Sequence, residues 1–348
     1  MTKTIDNQAS GATAEYRYAR GWHCLGEAAD YRDGKPHTLN VFGTRLVAFA
    51  NDEGTISVLD AYCPHMGADL SQGEIVDGRI VCPFHHWEFA ASGRCAKIPY
   101  CDRIPPKAKT KSWLTTEVNN LLFVWHNPEG NPPAEGVEIP YFPEIDSDEW
   151  NNSWHVDLMY IDTNPRELVD NLSDVIHFGP VHGTPCTYFA NTFEGHIGTQ
   201  EFHGDSGRLG GGLVAKSAYY GPATHFTRMS AEFDGKKVET ILLNSHVPTS
   251  PNSFELRFGV LVKKDPSMTD EQNSELAKTY VQANRESFYQ DVDIWKHKAR
   301  IDNPVLAEGD GPIYQLREWY SQFFMDESDI PAKLKERQVI VTMEKQQS

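Results

Sequence analysis

The sequence predicts an α+β chain of two domains: a small all-β unit, then a larger unit whose antiparallel sheet is covered by a long helix. Three observations predict it. Residues 38 to 126 read as short strands separated by tight turns. Residues 196 to 263 alternate apolar and polar in the manner of a sheet. Residues 269 to 300 read as one long helix, with Thr269 as N-cap. A length of 348 residues suits two domains.

Residues 1–16, "MTKTIDNQASGATAEY", are polar, lack a charged-then-apolar leader pattern, and read as a flexible lead-in to a cytoplasmic protein. "RLVAFANDEGTISVLD" is a hairpin turning at Asn51 to Gly54, and "GRIVCPFHHWEFAASGRCAKIP" turns at Ser92-Gly93. "VNNLLFVWHN" turns at Asn119-Asn120 and enters a buried strand. The segment 127–146, rich in proline, glycine and acid, reads as a linker, dividing the chain into units 17–130 and 131–348. "NPRELVDNLSDVIHF" reads as a helix over 165–178, with Asn164 as N-cap, Pro165 in the first turn and Glu167 closing a capping-box-like start.

Hydrophobic residues make up 39% of the chain, enough for a buried core, and no run approaches eighteen apolar residues, so no membrane span is expected. A net charge of −17 repels phosphate backbones and argues against nucleic acid as a partner. Without a secretion signal, the six cysteines do not read as a disulfide framework. A cysteine beside histidines then points to metal.

Residues 63 to 89 hold two near-copies of one phrase, "CPHMGADL" and "CPFHHWEF", spaced C-x-H-x16-C-x2-H. Cys63, His65, Cys82 and His85 are four ligand types on two turns. Zinc accepts mixed thiolate and imidazole ligands. A Rieske-type [2Fe–2S] centre needs two thiolates on one iron and two imidazoles on the other. The stiffening prolines after both cysteines, the glycines Gly67 and Gly73 for tight turns, and Trp87 as a cover favour the cluster. Spacing selects His85 over His86, which should point to the other face of its turn.

A second set lies farther on. Along 165–178, Leu168, Val169, Leu172, Val175 and Ile176 share one helical side, while Asp170, Asp174 and His177 share another. Gly179-Pro180 breaks the helix and can fold His182 back beside His177, though two histidines around such a break are also ordinary loop residues. Two histidines and one carboxylate hold non-haem Fe(II) with positions left open for O₂. In "ESFYQDVDIWKHK", Asp291 lies on the apolar stripe and Asp293 on a wetter face; an apolar-face aspartate is costly unless paired or ligating metal, so Asp291 is the third ligand expected.

Together these motifs resemble the oxygenase component of Rieske non-haem iron oxygenases, from about residue 17 onward. "NLSDVIHFGPVH" matches the family's N-x-x-D-x-x-H-x4-H pattern, and "QDVDIW" the segment that supplies the aspartate. The resemblance implies a Rieske domain and a helix-grip catalytic domain, with mononuclear iron on His177, His182 and Asp291. It also implies that Asp174 bridges to the cluster histidine of a neighbouring subunit in a homotrimer, and that Asn171 lies near the iron. Electrons would come from NADH through a separate reductase, since this chain has no glycine-rich dinucleotide fingerprint. The phrases "TYFANTFEGHI" and "DIWKHKARIDNPVLAEGDGPIYQLREWY" further resemble the 3-ketosteroid 9α-hydroxylase branch, which implies hydroxylation of an apolar steroid in steroid catabolism. The polar "HFGPVHGTPCTYF", with Cys186, departs from the aromatic run expected there, at positions that should line the pocket mouth.

Phe178, Tyr188, Phe189, Phe193, Trp295, Tyr314, Trp319, Tyr320, Phe323 and Phe324 are the aromatics available to wall such a pocket, although most aromatics are simply core. "IYQLREWYSQFF" could equally be a subunit contact. The same machinery would serve an aromatic-acid O-demethylase or a sterol desaturase. From other classes, a Rieske electron carrier without catalysis and a zinc-stabilised binding module remain to be distinguished.

Overall fold

The computed structural model describes residues 16–206, 211–233 and 236–344; the expected flexible lead-in lies almost wholly outside them. The N-terminal unit contains strands β1 (Gly21–Glu27), β2 (His37–Val41), β3 (Thr44–Ala50), β4 (Ile56–Asp60), β5 (Glu74–Val76), β6 (Arg79–Val81), β7 (Glu88–Phe89), β8 (Cys95–Lys97), β9 (Ser112–Trp113), β10 (Thr115–Val118) and β11 (Leu121–His126). They form three antiparallel sheets, ordered β1-β11-β10, β2-β3-β4-β9 and β5-β6-β7-β8. The expected turns are all present. Asn51 accepts from Gly54 N–H at its carbonyl. Gly93 has φ +74°, and Asn119 and Asn120 take φ +56° and +62°, the left-handed pair that a two-residue hairpin needs.

The second unit is a single eight-stranded antiparallel sheet. Its strands are β12 (Asp157–Ile161), β13 (Cys186–Glu194), β14 (Ile197–Ser206), β15 (Gly211–Tyr220), β16 (Thr224–Phe233), β17 (Lys236–Ser250), β18 (Ser253–Val262) and β19 (Gln338–Met343). The order is β12-β18-β17-β16-β15-β14-β13-β19. Among the described residues three α-helices accompany it: α1 (Arg166–Asp170), α2 (Asp270–Trp295) and α3 (Ile313–Ser321). Thr269 caps α2, as the sequence predicts, and does so in a reciprocal capping box with Gln272; the helix ends at Trp295 rather than at residue 300.

Around β17 and β18 the sheet is packed on both faces. Phe254, Leu256, Phe258, Val260 and Val262 pack with Ala277, Val281, Val292 and Trp295 of α2. On the opposite face Phe226, Ile241, Leu243 and Leu261 share one core with Trp22, Leu121, Phe123 and Trp125 of β1 and β11. Each fully buried large apolar side chain contributes roughly 1.5–3 kcal/mol, so the two units are welded rather than tethered. The segment 127–146 is therefore no free linker: Ile139, Phe142 and Ile145 are buried in that shared core. Its prolines and acids face outward, which is what the composition reports.

The helix expected over 165–178 is also corrected. Only α1 is α-helical; turns follow, then a short 3₁₀ segment at Ile176–Phe178. Asp174 is a short polar residue that competes for backbone groups, and His177 N–H bonds to its carboxylate rather than continuing a helix. At the start, Asn164 Oδ1 accepts from Arg166 N–H at 3.0 Å, but Glu167 is turned away to Lys298, 2.6 Å from its ammonium. Asp170 is buried in a two-pronged pair with Arg317 of α3 and is structural.

Candidate metal centres and cavity

The first centre is built from two turns with one backbone pattern. Cys63 N–H donates to Ala68 C=O and Gly67 N–H to Cys63 C=O, at 2.8 and 2.9 Å; Cys82 N–H donates to Trp87 C=O and His86 N–H to Cys82 C=O, at 2.9 and 3.0 Å. Each cysteine thus opens a closed turn, with the proline next. The fifth position of each turn is left-handed: Gly67 at φ +77° and His86 at φ +55°. His86 is exposed and serves backbone geometry, whereas His85 turns inward. Gly73 closes the turn at Leu70–Gln72, its N–H donating to Leu70 C=O at 3.0 Å, and a Cβ there would lie 2.0 Å from the Val81 carbonyl oxygen, so it also permits the close approach of the chain entering the second loop.

These turns bring the four residues together. Cys63 and Cys82 are buried and interact through their side chains. The His65 and His85 rings lie 4.6 Å apart. Trp87 stacks on His65 at 4.5 Å and donates its indole N–H to the Tyr100 hydroxyl, which fixes the cover. Burial pushes the Cys63 thiol up to about 11. His65 Nδ1 is buried without a hydrogen-bond partner. Buried facing thiols and an orphaned imidazole nitrogen are the donors that a two-iron cluster would satisfy.

The second centre is assembled across the chain. His177, His182 and Asp291 place ligand atoms within 4.8 Å of one another. The two imidazole rings are 5.2 Å apart, because backbone turns from His177 C=O to Val181 N–H and from Gly179 C=O to Gly183 N–H fold the chain back. Asp291 comes from the buried face of α2, and Asp293 is 74% exposed. Supporting bonds orient each ligand. His177 Nδ1 meets Asp174 C=O at 2.5 Å. His182 Nδ1 meets Gln290 Oε1 at 3.1 Å and Ser287 Oγ at 3.2 Å, and its Nε2 stands 3.5 Å from Asp291 Oδ2. Asn171 Nδ2 reaches the same carboxylate at 3.4 Å. With both Nδ1 atoms engaged, Nε2 of each histidine is the atom for a metal, and the donor set fits Fe(II). The Asp174 carboxylate is 46% exposed.

The triad borders a cavity of about 340 Å³ between the sheet and α2, a size usual for small-molecule sites. Of the ten aromatics considered, only Phe178 lines it. Phe193, Trp319, Tyr320 and Phe323 form a core beneath α3, Trp295 packs α2 on the sheet, and Tyr314 is exposed. Thr184 reaches the cavity, whereas Cys186 packs near Phe189 and Phe202. The cavity wall that sequence reasoning missed runs at every second residue: 213, 215, 217 and 219 on β15, 225, 227 and 229 on β16, 242 and 244 on β17. Strand alternation was the signal that could have found it. Among the described residues no helix is long and apolar enough to cross a membrane.

Comparison with known proteins bears on both halves. Residues 21–113 match the Rieske [2Fe-2S] domain, and residues 124–324 match the 3-Ketosteroid 9alpha-hydroxylase C-terminal domain. The oxygenase component of 3-ketosteroid-9-alpha-monooxygenase from Mycobacterium tuberculosis (strain ATCC 25618 / H37Rv) is 46% identical over 92% of this chain and 86% of its own length. One from Rhodococcus rhodochrous is 45% identical over 95% and 87%. Among solved structures, dicamba monooxygenase bound to dicamba superposes with a TM-score of 0.73 at 18% identity, over 88% of this chain and 98% of that one, which shows the shared fold. Such oxygenases carry a Rieske [2Fe–2S] cluster and a mononuclear iron and use O₂. With both domains matched in order and nearly the whole chain aligned, this protein belongs to the 3-ketosteroid 9α-hydroxylase family, as a Rieske monooxygenase oxygenase component.

Proposed function

We propose that the chain hydroxylates a 3-ketosteroid at ring carbon 9. The observation that carries this reading is an apolar-walled cavity with the three-ligand triad in its wall, on a chain about 45% identical to oxygenases named for that reaction. The balance is R–H + O₂ + two electrons + two protons giving R–OH + H₂O, with electrons supplied from NADH by a separate reductase in the cytoplasm. Cys63, Cys82, His65 and His85 hold the [2Fe–2S] cluster; His177, His182 and Asp291 hold the mononuclear iron. When bound, these groups supply one-electron transfer and O₂ activation, chemistry that side chains alone lack.

The chain's own residues do the rest. Phe178, Phe202, Leu213 and Met229 exclude water and hold an apolar ring system against the triad. Asn171 and Gln290 fix the Asp291 carboxylate and the His182 ring, keeping both ligand directions. Asp174 bonds to His177 and presents an exposed carboxylate, placed to meet the cluster histidine of the next subunit in a homotrimer. The division into units 17–130 and 131–348 belongs to the same reading.

Incubation of the holoenzyme with a compatible reductase, NADH, ¹⁸O₂ and a panel of 3-ketosteroids tests it. One labelled oxygen at C9 is expected. No labelled steroid, with cluster and iron intact, would discard the steroid and keep the oxygenase.

A further inference from the structure

The charge of the chain is unevenly spread. Residues 94–111, beside the two cysteine–histidine turns, carry six Lys or Arg against one Asp, in a chain whose net charge is −17. The fold sorts this segment by face. Cys95, Ile98 and Ala108 pack inward, in one core with Cys63, Cys82 and Trp87, while Arg94, Arg103, Lys107 and Lys109 are exposed. Two backbone bonds of 2.9 Å, from Cys95 N–H to Ala108 C=O and from Thr110 N–H to Gly93 C=O, clamp its two arms together. Between the arms, Tyr100 is 63% exposed. Its hydroxyl accepts the indole N–H of Trp87 at 2.8 Å, and that indole stacks on His65. A partner that touches Tyr100 is therefore one side chain, Trp87, away from His65.

The cations give the fold little in return. Arg94 and Lys109 stand opposite each other in an antiparallel bridge, where like charges repel. Lys97 is neutralised by Glu88 at 2.6 Å; among the described residues Arg94, Arg103, Lys107 and Lys109 form no ion pair. Range decides what such a patch can do. The Debye length is about 8 Å at physiological ionic strength, so an approaching surface senses these local cations rather than the acidic remainder of the molecule. Met66 and Phe84, on the two cysteine–histidine turns, are exposed apolar side chains as well. An apolar centre with a charged rim is the usual make-up of a protein contact.

Resting on the reading that a separate reductase supplies the electrons, we infer that the 94–111 face docks that reductase through an acidic surface around the reductase's own redox centre. One electron passes per encounter: the donor centre is oxidised and the cluster is reduced. The rim cations raise the rate of encounter, and Tyr100 with Trp87 brings the donor next to His65. A cluster that both receives and delivers electrons needs a receiving face that stays clear of the subunit it feeds, and the basic segment provides one.

Anaerobic stopped-flow reduction of the holoenzyme's cluster by a panel of NADH-reduced iron–sulfur flavoprotein reductases tests it. With the productive reductase, the second-order rate should fall steeply as salt is raised. Arg103→Glu, Lys107→Glu and Lys109→Glu together should lower that rate about a hundred-fold at low salt, within the range of electrostatic steering, and flatten its salt dependence. The charge-keeping set Arg103→Lys, Lys107→Arg and Lys109→Arg should retain it. Reduction by photoreduced deazaflavin, a small neutral donor, and the paramagnetic spectrum of the cluster should be unchanged in both sets, which guards against a folding defect. A wild-type rate indifferent to salt, or a full rate in the charge-reversed protein, would overturn the docking face. So would a smaller assembly by light scattering at an unchanged rate per cluster, which would give the patch to a second copy of the chain. Reduction by deazaflavin but by no reductase in the panel would sink the separate reductase, and the docking face with it.

Discussion

The two candidate metal centres are built by opposite means. The Cys63–His85 centre is local: two turns, each closed by its own backbone bonds, carry all four donors within 23 residues. The His177–His182–Asp291 centre joins a turn after α1 to a face of α2 more than 100 residues later. It depends on the sheet, on α2 packing and on side-chain braces such as Asn171 and Gln290. A local site is specified by its motif, whereas an assembled site is specified by the fold that holds its parts.

Substitutions can break that contrast. The largest effects should come from the ligands. Asp291→Ala should empty the mononuclear site and lower turnover by at least about a thousand-fold, yet leave the visible and paramagnetic signature of the cluster unchanged. Cys63→Ser should do the reverse, bleaching the cluster while iron binding at the triad persists; loss of both from either change would mean that the centres are not independent.

Asp174→Ala comes next. Both metals should remain bound, but on the proposed bridging role of the half-exposed carboxylate, turnover with reductase should fall about a hundred-fold or more. Rapid turnover in this variant would remove the bridging role. Asn171→Ala tests a brace: iron affinity should drop about 10- to 100-fold, as for other removed supports of metal ligands, as read by titration against a chelator. An equivalent change beside the local centre, His86→Gly, should relieve left-handed strain and alter stability by no more than about 1 kcal/mol in denaturant unfolding, without bleaching the cluster.

The shared core makes a prediction about pH. Burial holds His23 down to about 4, and burial followed by His23 itself holds His126 down to about 3. Both lie on strands of the small unit that pack behind the catalytic sheet. Between the unfolded value near 6.5 and these lowered values, the unfolded chain binds more protons. Stability is therefore greatest above about pH 6.5 and falls as pH drops, by about 1.4 kcal/mol per pH unit for each histidine. His126→Phe should flatten that slope in thermal unfolding; an unchanged slope would place the titration elsewhere.

Legibility in the sequence follows the same contrast. The cluster turns were readable because proline, glycine and donor spacing act within a few residues. The triad was readable in part: Asp291 could be chosen over Asp293 from its apolar neighbours, and α2 from its cap and period. The helix across Asn171–Asp174 was misjudged because side chains take its backbone groups: the Asp174 carboxylate takes the His177 N–H, and the Asn191 and Gln200 amides take the Leu172 carbonyl. The aromatics of α3, open by sequence to a pocket, to core or to a subunit contact, include Trp319 and Tyr320, which pack in a core with Phe323. His225, Asn244 and the rest of the wall stayed hidden because a cavity on a sheet draws one residue in two from strands far apart, and alternation alone does not say which face is hollow.

Iron counting on paired variants tests the central claim most directly, namely that a local cluster and an assembled iron coexist in one chain. The account predicts about three irons per wild-type chain, about two in Asp291→Ala with an unchanged cluster spectrum, and about one in Cys63→Ser. Two irons in wild type and in Asp291→Ala alike, with no iron bound at the triad, would contradict it.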